Sequence, residues 1–392
     1  MLRGCKRRDK RIDPAKPSTD HRWWANRATG EAMNKIIQLA AALSISTAAI
    51  ADDADYEGFL VGDQPLTVVD MHLHTGEWEL MTPGFHERLS ERVPTGFKWS
   101  MAPIANWMLS TSTIISQLDS AGIYGGGLFA LYSPHTTGNA PNQFVVERVV
   151  EADGRLWGFA SLRVDDWNNQ AGEELAAFEQ AFADHPELVG IKLAHGHQQI
   201  RFDDERFYPI YEIAARLGKP MYLHTGTSPN PGTRYEPEYA DPAYLEEAIQ
   251  LYPKAIFILG HSGYDSKERA LTYTDSAIRL AQKYANVYIE PGALGATRAE
   301  NLVDDYVQRV KDAGVLDKVI YGSDGVQFPG YLKQHLTNYA AAMIRNDYST
   351  DEMRMVLADN FSRVFNIDLP EPSASSGAGP AAETTASTGG KP

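Results

Sequence analysis

The sequence has almost no cysteine and carries none of the common nucleotide-binding motifs. Its single cysteine is Cys5, near the start of the chain. The remainder therefore has no thiol to oxidise and no disulfide, which suits an oxidising compartment. Neither Gly-x-Gly-x-x-Gly nor Gly-x-x-x-x-Gly-Lys-Ser/Thr occurs, so we expect neither a dinucleotide site nor a P-loop.

Basic residues are scarce as well. The 392 residues include 36 Lys and Arg against 51 Asp and Glu, a formal net charge of −15. Removing residues 1–51 takes away ten basic and four acidic residues, which leaves 26 against 47 and a charge of −21. Phosphate backbones and anionic lipids repel such a protein, so nucleic acid and membrane surfaces are not expected partners.

A hydrophobic run long enough to span a bilayer is also missing. The main apolar stretch lies within residues 33–51; it is short, contains Gln38 and two serines, and lacks a basic stop. It begins with Met33-Asn34-Lys35 and ends in Ala49-Ile50-Ala51, an Ala-x-Ala cleavage site. We therefore predict a signal peptide, a periplasmic or secreted protein, and no membrane association after cleavage.

The sequence predicts four parts of the chain, of which the signal peptide at residues 33–51 is the second. Residues 1–32 are polar and basic, and we interpret them as a non-native leader ahead of the true start at Met33. Residues 52–369 are predicted to form a single catalytic domain. Residues 370–392 are rich in Ser, Ala, Gly and Thr and lack large apolar side chains, which is typical of a disordered low-complexity tail.

From Val68 onward, short apolar segments alternate with amphipathic ones, beginning with a strand that runs into Asp70-Met71-His72-Leu73-His74. This alternation predicts an α/β fold with a parallel sheet covered by helices. Eight such units in roughly 300 residues favour a closed (β/α)8 TIM barrel. Residues 75–110 interrupt it with a polar segment that carries Trp78, Phe85, Trp99 and Trp107 among its aromatic residues. We interpret this insertion as an aromatic lid or pocket wall; packing on the side of the barrel is the alternative.

Polar side chains follow the predicted strands at the point where each strand ends. In an eight-stranded barrel these ends surround one mouth, where barrel enzymes place their active sites. They are His72 and His74 on the first strand, Lys192 on the fourth with His195 and His197 just beyond, His224 on the fifth, His261 on the sixth and Asp324 on the eighth.

The His-x-His pair on the first strand suggests metal chemistry. Residues two apart in a strand point to the same side, so His72 and His74 project together while Leu73 turns away. Two such imidazoles can chelate a divalent cation, although an isolated pair arises equally well by chance. A hydrolytic metal needs two to four protein ligands and one position left to water. A nearby carboxylate then takes a proton, and an imidazole supports the oxyanion or the leaving group.

Taken in order, these motifs resemble those of the amidohydrolase superfamily. They are Asp-x-His-x-His at 70–74, His-Thr-Gly at 224–226, Gly-His at 260–261 and Gly-Ser-Asp at 322–324. Over about residues 68–367 the chain is similar to the amidohydrolase-related family that includes aminocarboxymuconate semialdehyde decarboxylase. Each motif alone is weak; four in this order at strand ends are specific.

The resemblance implies a ligand set and catalytic roles. His72, His74, His224 and Asp324 would hold the metal, and His261 would lie beside it as acid or electrophile. Asp324 would also accept the proton of the attacking water. We expect one divalent ion, Zn²⁺ ahead of Mn²⁺ or Fe²⁺, since His and Asp ligands suit all three.

Other residues near the mouth are candidates for substrate binding. In binuclear members of the superfamily a carboxylated lysine on the fourth strand bridges two metals; for Lys192, pairing with a mouth carboxylate or with substrate is the alternative. Arg163 could grip a substrate carboxylate or pair with Asp165 or Asp166. The remaining candidates are His135, the loop residues His195 and His197, which could equally be solvated, and Trp78 of the lid.

The sequence thus predicts an exported metal-dependent hydrolase that cleaves a C–O or C–N bond of a small ester, lactone or amide. A nonoxidative decarboxylase of a small unsaturated or aromatic carboxylic acid is the alternative on the same site. A noncatalytic binding barrel, which would hold no stoichiometric metal, is a third. The expected partner is a small-molecule substrate, and a homodimer remains open because related barrels often dimerise.

Overall fold

The computed structural model describes residues 56–91, 100–165, 171–296 and 300–373. The predicted leader and signal peptide lie outside these ranges, as does the predicted tail beyond residue 373. Those assignments therefore stay predictions.

The short apolar segments form strands, and seven of these strands make one parallel sheet in the order β11-β10-β9-β8-β7-β4-β3. β1 with β2 and β5 with β6 form two antiparallel hairpins. The strands are β1 Phe59–Val61, β2 Gln64–Leu66, β3 Val69–His74, β4 Gly125–Phe129, β5 Leu131–Ser133, β6 Gly138–Ala140, β7 Leu156–Ser161, β8 Leu188–Leu193, β9 Met221–His224, β10 Phe257–Gly260 and β11 Val287–Ile289.

Residues 319–325, here called the closing segment, take the place of an eighth strand. Ile320 N–H donates to the carbonyl of Ile289 on β11 (3.0 Å), and on the other side Met71 N–H donates to Tyr321 O (3.1 Å). The closing segment thereby joins β11 to β3 and completes the barrel. The sequence predicts a regular eighth strand that ends before Asp324, over residues 318–321, and that strand is not formed. Further along, Asp324 has a φ of 66°, which an extended ladder does not allow.

Amphipathic helices follow the strands and cover the outside of the barrel. They are α1 Pro83–Ser90, α2 Met101–Met108, α3 Thr111–Ala121, α4 Asn142–Glu151, α5 Ala171–Asp184, α6 His195–Gln198, α7 Tyr208–Leu217, α8 Pro237–Ala240, α9 Glu246–Leu251, α10 Thr274–Lys283, α11 Glu300–Asp312, α12 Tyr331–Arg345, α13 Thr350–Arg354 and α14 Asn360–Phe365, with a π-helical turn at Met355–Asp359 and single 3₁₀ turns at Trp78–Leu80, Glu205–Phe207, Pro242–Leu245, His261–Gly263 and Leu316–Lys318. Among the described residues, no helix has the length and apolar character needed to cross a bilayer.

The core divides into two layers. A large outer layer packs strand side chains such as Leu73 and Leu128 against the helices. A smaller inner layer fills the barrel below the mouth and includes Phe129, Phe159 and Tyr222, with Phe361 of α14 packed against it. The inner layer supports the mouth from below, so side chains that emerge above it have fixed positions.

The insertion after β3 contacts loops at the mouth. Met81 forms a β-bridge with Gly138 of the β5–β6 hairpin, and Arg88 donates a hydrogen bond to the carbonyl of Pro229 in the loop after β9. These contacts join the described parts of the insertion to two loops at the mouth. They favour the interpretation of the segment as a lid or pocket wall.

Candidate metal centre

β3 and the closing segment bring two imidazoles and a carboxylate together. His72 Nε2 lies 3.1 Å from His74 Nε2 and 3.2 Å from Asp324 Oδ1, and His74 Nε2 lies 3.1 Å from the same oxygen. If His72 Nε2 and His74 Nε2 both carried protons and donated them to Asp324 Oδ1, the two N–H groups would also face each other, donor against donor. A divalent ion resolves the conflict, because ligand atoms about 2.0–2.1 Å from a tetrahedral metal are about 3.3 Å apart.

Asp70 fixes the position of this cluster from behind. Its Oδ1 accepts hydrogen bonds from the backbone N–H of His72 (3.1 Å) and of Ser323 (2.9 Å). One buried carboxyl thus ties β3 to the closing segment, directly beside Asp324. Burial raises the pKa of Asp70 to about 7.

His224 and His261 form a second pair next to the first. His261 Nδ1 lies 3.0 Å from the carbonyl oxygen of Gly292, which can only accept, so Nδ1 carries the proton. In neutral His261, Nε2 must then accept from His224 Nδ1, 3.0 Å away. This leaves His224 Nε2 with a free lone pair, and that atom is buried without a hydrogen-bond partner. Such a buried nitrogen is a ready metal ligand.

The described distances group the residues differently from the predicted ligand set. Ligand atoms of His72, His261 and Asp324 all lie within 4.8 Å of one another. His74 joins through its contacts with His72 and Asp324, and His224 joins through His261. The structure therefore brings all five predicted residues to one side of the barrel mouth. His261, which was predicted as an acid beside the metal, lies as close to His72 and Asp324 as a ligand would.

Burial sets the charge states of these groups. It lowers the pKa of His72 and of His224 well below the usual range, so both imidazoles are neutral at neutral pH. For Asp324, burial acts to raise the pKa, but the hydrogen bond with His74 and the electrostatic effect of His261, His74 and Lys192 outweigh it and hold the pKa below its usual value. Neutral imidazoles beside an ionised carboxylate are the forms that bind divalent metals.

The cluster is open on one side. The His72 side chain is fully buried, whereas those of His74 and Asp324 retain 29% and 24% exposure. Water and a small substrate can therefore reach the cluster from the mouth.

Lys192 lies below the metal cluster among aromatic rings. Its Nζ is 3.8 Å from the ring centroid of Tyr222 and 4.5 Å from that of Phe129, and the residue is 1% exposed. Burial lowers its pKa to about 7, against the opposing effect of Asp324 and Glu290. These are cation–π contacts.

Arg163 and His135 meet on one carboxylate. Arg163 donates to Asp165 through Nε (2.9 Å) and Nη2 (3.2 Å), and His135 Nε2 lies 2.7 Å from Asp165 Oδ2. Burial acts to raise the pKa of Asp165, but these bonds lower it overall. The ion-pair alternative for Arg163 is therefore the arrangement observed. The three residues line an open cavity of about 450 Å³, which also includes Arg206.

The remaining candidates have packing partners. His195 is fully buried, with ring centroids 3.9 Å from Phe207 and 4.7 Å from Phe202, and its placement does not support substrate contact. His195 points into the outer layer because it begins α6 rather than lying in an open loop. Trp78 stacks on His86 of the same insertion at 3.9 Å.

His197 lies on the other side of α6. Its Nδ1 is 2.8 Å from Thr136 Oγ1, and its ring meets the ring of His224 edge-on at 4.8 Å. The ring is almost fully buried, so the solvated alternative is excluded.

Two further side chains contact His72; the sequence places Glu290 after the seventh strand, facing the mouth, without a definite role, and does not single out Tyr222. Tyr222 Oη and Glu290 Oε1 lie 2.9 Å and 3.3 Å from His72 Nδ1. Tyr222 was detectable in principle, because it is two residues before His224 on a strand and so shares its face. Glu290 gave a weaker signal, as a single acidic residue after an apolar strand.

Comparisons with known proteins identify the family and the fold. A family model described as Amidohydrolase matches residues 125–367, more than half of the chain. Among curated proteins, Protein fluG of Emericella nidulans is 25% identical over 173 residues, which is 41% of this chain and 19% of that protein. The match thus spans about a fifth of the relative's length.

Several solved structures share the architecture. A TIM-barrel protein of Bordetella bronchiseptica is 18% identical with a TM-score of 0.57, covering 77% of this chain and 99% of that one. A 2,6-dihydroxybenzoate decarboxylase from Rhizobium is 16% identical, with a TM-score of 0.52 over 78% and 100%. A probable 2-pyrone-4,6-dicarboxylic acid hydrolase from Acinetobacter baumannii is 16% identical, with a TM-score of 0.52 over 77% and 100%. These likenesses confirm the predicted TIM barrel.

Proposed function

We propose that this chain, which belongs to the amidohydrolase family and is a metal-dependent enzyme of that superfamily, is a hydrolase. Its reaction would be cleavage of a C–O or C–N bond in a small ester, lactone or amide. The observation that carries the proposal is the Asp324 carboxylate: its pKa is held low, it contacts both His72 and His74, and it is partly open to the mouth. A base in that position can take a proton from an attacking water.

The donor set fits one divalent ion, for which we propose Zn²⁺. His72, His74 and Asp324 would hold it, and the unpartnered Nε2 of His224 would supply a fourth ligand. Such an ion, when bound, lowers the pKa of a coordinated water from 15.7 to about 7.

The protein's own residues would then divide the proton transfers. Asp324 accepts the proton of the water that attacks the substrate carbonyl. His261 is held by the Gly292 carbonyl through Nδ1, so its Nε2 faces the cluster. Protonation of that nitrogen would replace the hydrogen bond it accepts from His224 Nδ1, and it would then donate to the developing oxyanion or to the leaving group.

The test is a metal assay combined with a substrate screen on protein expressed from Met33. A panel of esters, lactones and amides is assayed beside a panel of aromatic and unsaturated carboxylic acids, with carbon dioxide as the second readout. We expect zinc-dependent hydrolysis that is lost in His72→Ala. Full hydrolysis without metal would overturn the proposal. Carbon dioxide release without hydrolysis would replace it with decarboxylation, since both reaction types occur on this fold.

We also propose that the protein is exported, on the strength of the signal-like segment at 33–51. Fractionation of expressing cells tests this: we expect the shortened protein, beginning at Asp52, outside the cytoplasm. A full-length chain found only in the cytoplasm would contradict it.

A further inference from the structure

Glu290 is a fully buried carboxylate that the proposed reaction does not use. It directly follows β11, and its side chain has no exposed surface. Burying a charged carboxylate is costly unless its oxygens are hydrogen-bonded. Oε2 accepts from the Tyr222 hydroxyl (2.9 Å) and from the backbone N–H of His261 (2.9 Å). Oε1 lies 3.3 Å from His72 Nδ1.

These contacts fix where the ring proton of His72 lies. The Tyr222 hydroxyl has one proton, which it donates to Glu290, so its oxygen is left to accept. His72 Nδ1 lies 2.9 Å from that oxygen, and the pair forms a hydrogen bond only if Nδ1 carries the proton. The carboxylate selects the same tautomer, because it has no proton to give. His72 Nε2 then turns a lone pair towards His74 and Asp324.

The barrel makes room for this chain of hydrogen bonds at two glycines. A Cβ at Gly322, in the closing segment, would overlap Glu290 Oε1. A Cβ at Gly260, on β10, would overlap the ring of Tyr222. Any larger residue at either position would displace the groups that touch His72. Backbone on both sides of β11 is thus shaped around one carboxylate and one phenol.

We propose that Glu290 and Tyr222 are positioning residues that hold the His72 proton on Nδ1 and so keep Nε2 available to the metal. This inference rests on the proposed function, which it deepens. Outer hydrogen-bond partners of metal-bound histidines typically change metal affinity by about 10–100-fold.

The substitution Glu290→Gln tests the proposal because it keeps size and shape while reversing the hydrogen-bond direction. The glutamine amide oxygen would keep the place of Oε2, because that position accepts from the Tyr222 hydroxyl and from the backbone N–H of His261. The amide nitrogen would take the place of Oε1 and donate to His72 Nδ1, which moves the ring proton to Nε2, the atom that must bind the metal. We expect the zinc dissociation constant to rise about 10–100-fold.

Two measurements follow this change in the full chain. Zinc affinity is measured by competition with a chromophoric chelator. The His72 tautomer is read from ¹⁵N-histidine spectra of the metal-free protein, in which His72→Asn identifies the signals. We expect Nδ1–H in the wild type and Nε2–H in Glu290→Gln. Tyr222→Phe removes the hydroxyl but leaves Glu290 Oε1 in place, so we expect Nδ1–H and a smaller loss of affinity.

Asp265→Asn is the matched control. Asp265 is also a buried carboxylate with several hydrogen bonds, from Thr227 Oγ1 (2.5 Å) and from the N–H groups of Lys267 and Glu268 (both 3.1 Å), but its described bonds join the loops that follow β9 and β10 and do not touch His72. We expect Asp265→Asn to lose thermal stability and to keep wild-type zinc affinity.

Three results would overturn the inference. They are a wild-type His72 protonated on Nε2, a Glu290→Gln zinc affinity equal to that of the wild type, and an equal loss of affinity in Asp265→Asn. If Glu290→Gln does not fold, the wild-type tautomer and Tyr222→Phe decide the question. A wild type that binds no zinc would instead refute the proposed function, and the tautomer measurement would still stand on its own.

Discussion

Asp324 has two tasks in the proposed site, as a metal ligand and as a proton acceptor. Replacing it by asparagine keeps the side-chain shape but removes the base. We expect Asp324→Asn to lower kcat by about 10²–10⁴-fold at saturating zinc, the usual contribution of a positioned general base. Asp317→Asn, at an exposed position before the closing segment, is the matched control and should keep wild-type turnover. Equal activity of the two variants would remove Asp324 from the mechanism.

Lys192 is a buried ammonium stacked on Tyr222 and Phe129. Lys192→Met keeps the aliphatic stem and removes the charge, so we expect the free energy of unfolding to stay level or rise. Zinc content should remain one ion per chain, and KM should rise for substrates that carry a carboxylate. Loss of a second metal ion in Lys192→Met would instead support the bridging role.

At the residue scale, the sequence was informative where spacing along a single strand decides which way a side chain points. The His-x-His pair could be predicted because residues two apart share a face. The contacts of Glu290 could not, because its partners Tyr222 and His72 lie 68 and 218 residues away. His195 was misleading for a similar reason: the aromatic residues that enclose it belong to the following turn and helix.

At the scale of elements, the closing segment depends on Asp70. Its Oδ1 accepts one hydrogen bond from the backbone N–H of His72 and one from that of Ser323. Among the described residues, no other side chain accepts from either group. Asp70→Ala leaves both groups buried and unpaired, and we expect a loss of about 1–3 kcal/mol for each in the free energy of unfolding. Asp70→Asn keeps the accepting oxygen and should cost much less, as measured by chemical denaturation. Equal losses of unfolding free energy in Asp70→Ala and Asp70→Asn would show that the charge of Asp70, and not its accepting oxygen, stabilises the closing segment.

Glu246 links α9 to α10. It pairs with Arg279 and Lys283, whose hydrogen bonds lower its pKa from 4.5 to about 2. A carboxyl whose folded pKa is depressed stabilises the protein above its unfolded pKa and loses that effect as the pH falls through the folded pKa. We therefore expect Glu246→Gln to cost up to about 1 kcal/mol at pH 7, because the pair is partly exposed. The difference from the wild type should vanish between pH 4.5 and 2 in urea unfolding.

Glu247→Gln, one position along on an exposed part of α9, is the control for this pH dependence. It should show neither the cost at pH 7 nor its disappearance in acid. A constant difference between wild type and Glu246→Gln across the pH range would contradict the ion-pair explanation.

The elements themselves were largely predictable. Alternation of apolar strands with amphipathic helices gave seven parallel strands in the correct order, because each strand is buried on both faces and each helix on one. The eighth was wrong as a regular strand. Aspartate is enriched at positive φ but adopts it only in a minority of positions, so the residue type alone does not predict the left-handed backbone of Asp324, which the barrel around it fixes.

At the scale of the molecule, the barrel brings distant segments to one point. His74 and Asp324 are 250 residues apart and yet in contact, because closure places the last barrel segment beside the first. The family, the fold and the dependence on metal follow from the sequence match and the architecture. Substrate identity depends on the loops of the mouth, where neither strand periodicity nor family motifs specify the contacts.

The most direct test of this account is the zinc content of the purified protein, measured by mass spectrometry of the metal after exhaustive dialysis. We predict one zinc ion per wild-type chain and almost none in His72→Ala or His74→Ala, with Asp317→Asn retaining the full amount. A wild-type chain that holds no zinc, manganese or iron, or a His72→Ala variant that keeps its ion, would contradict it.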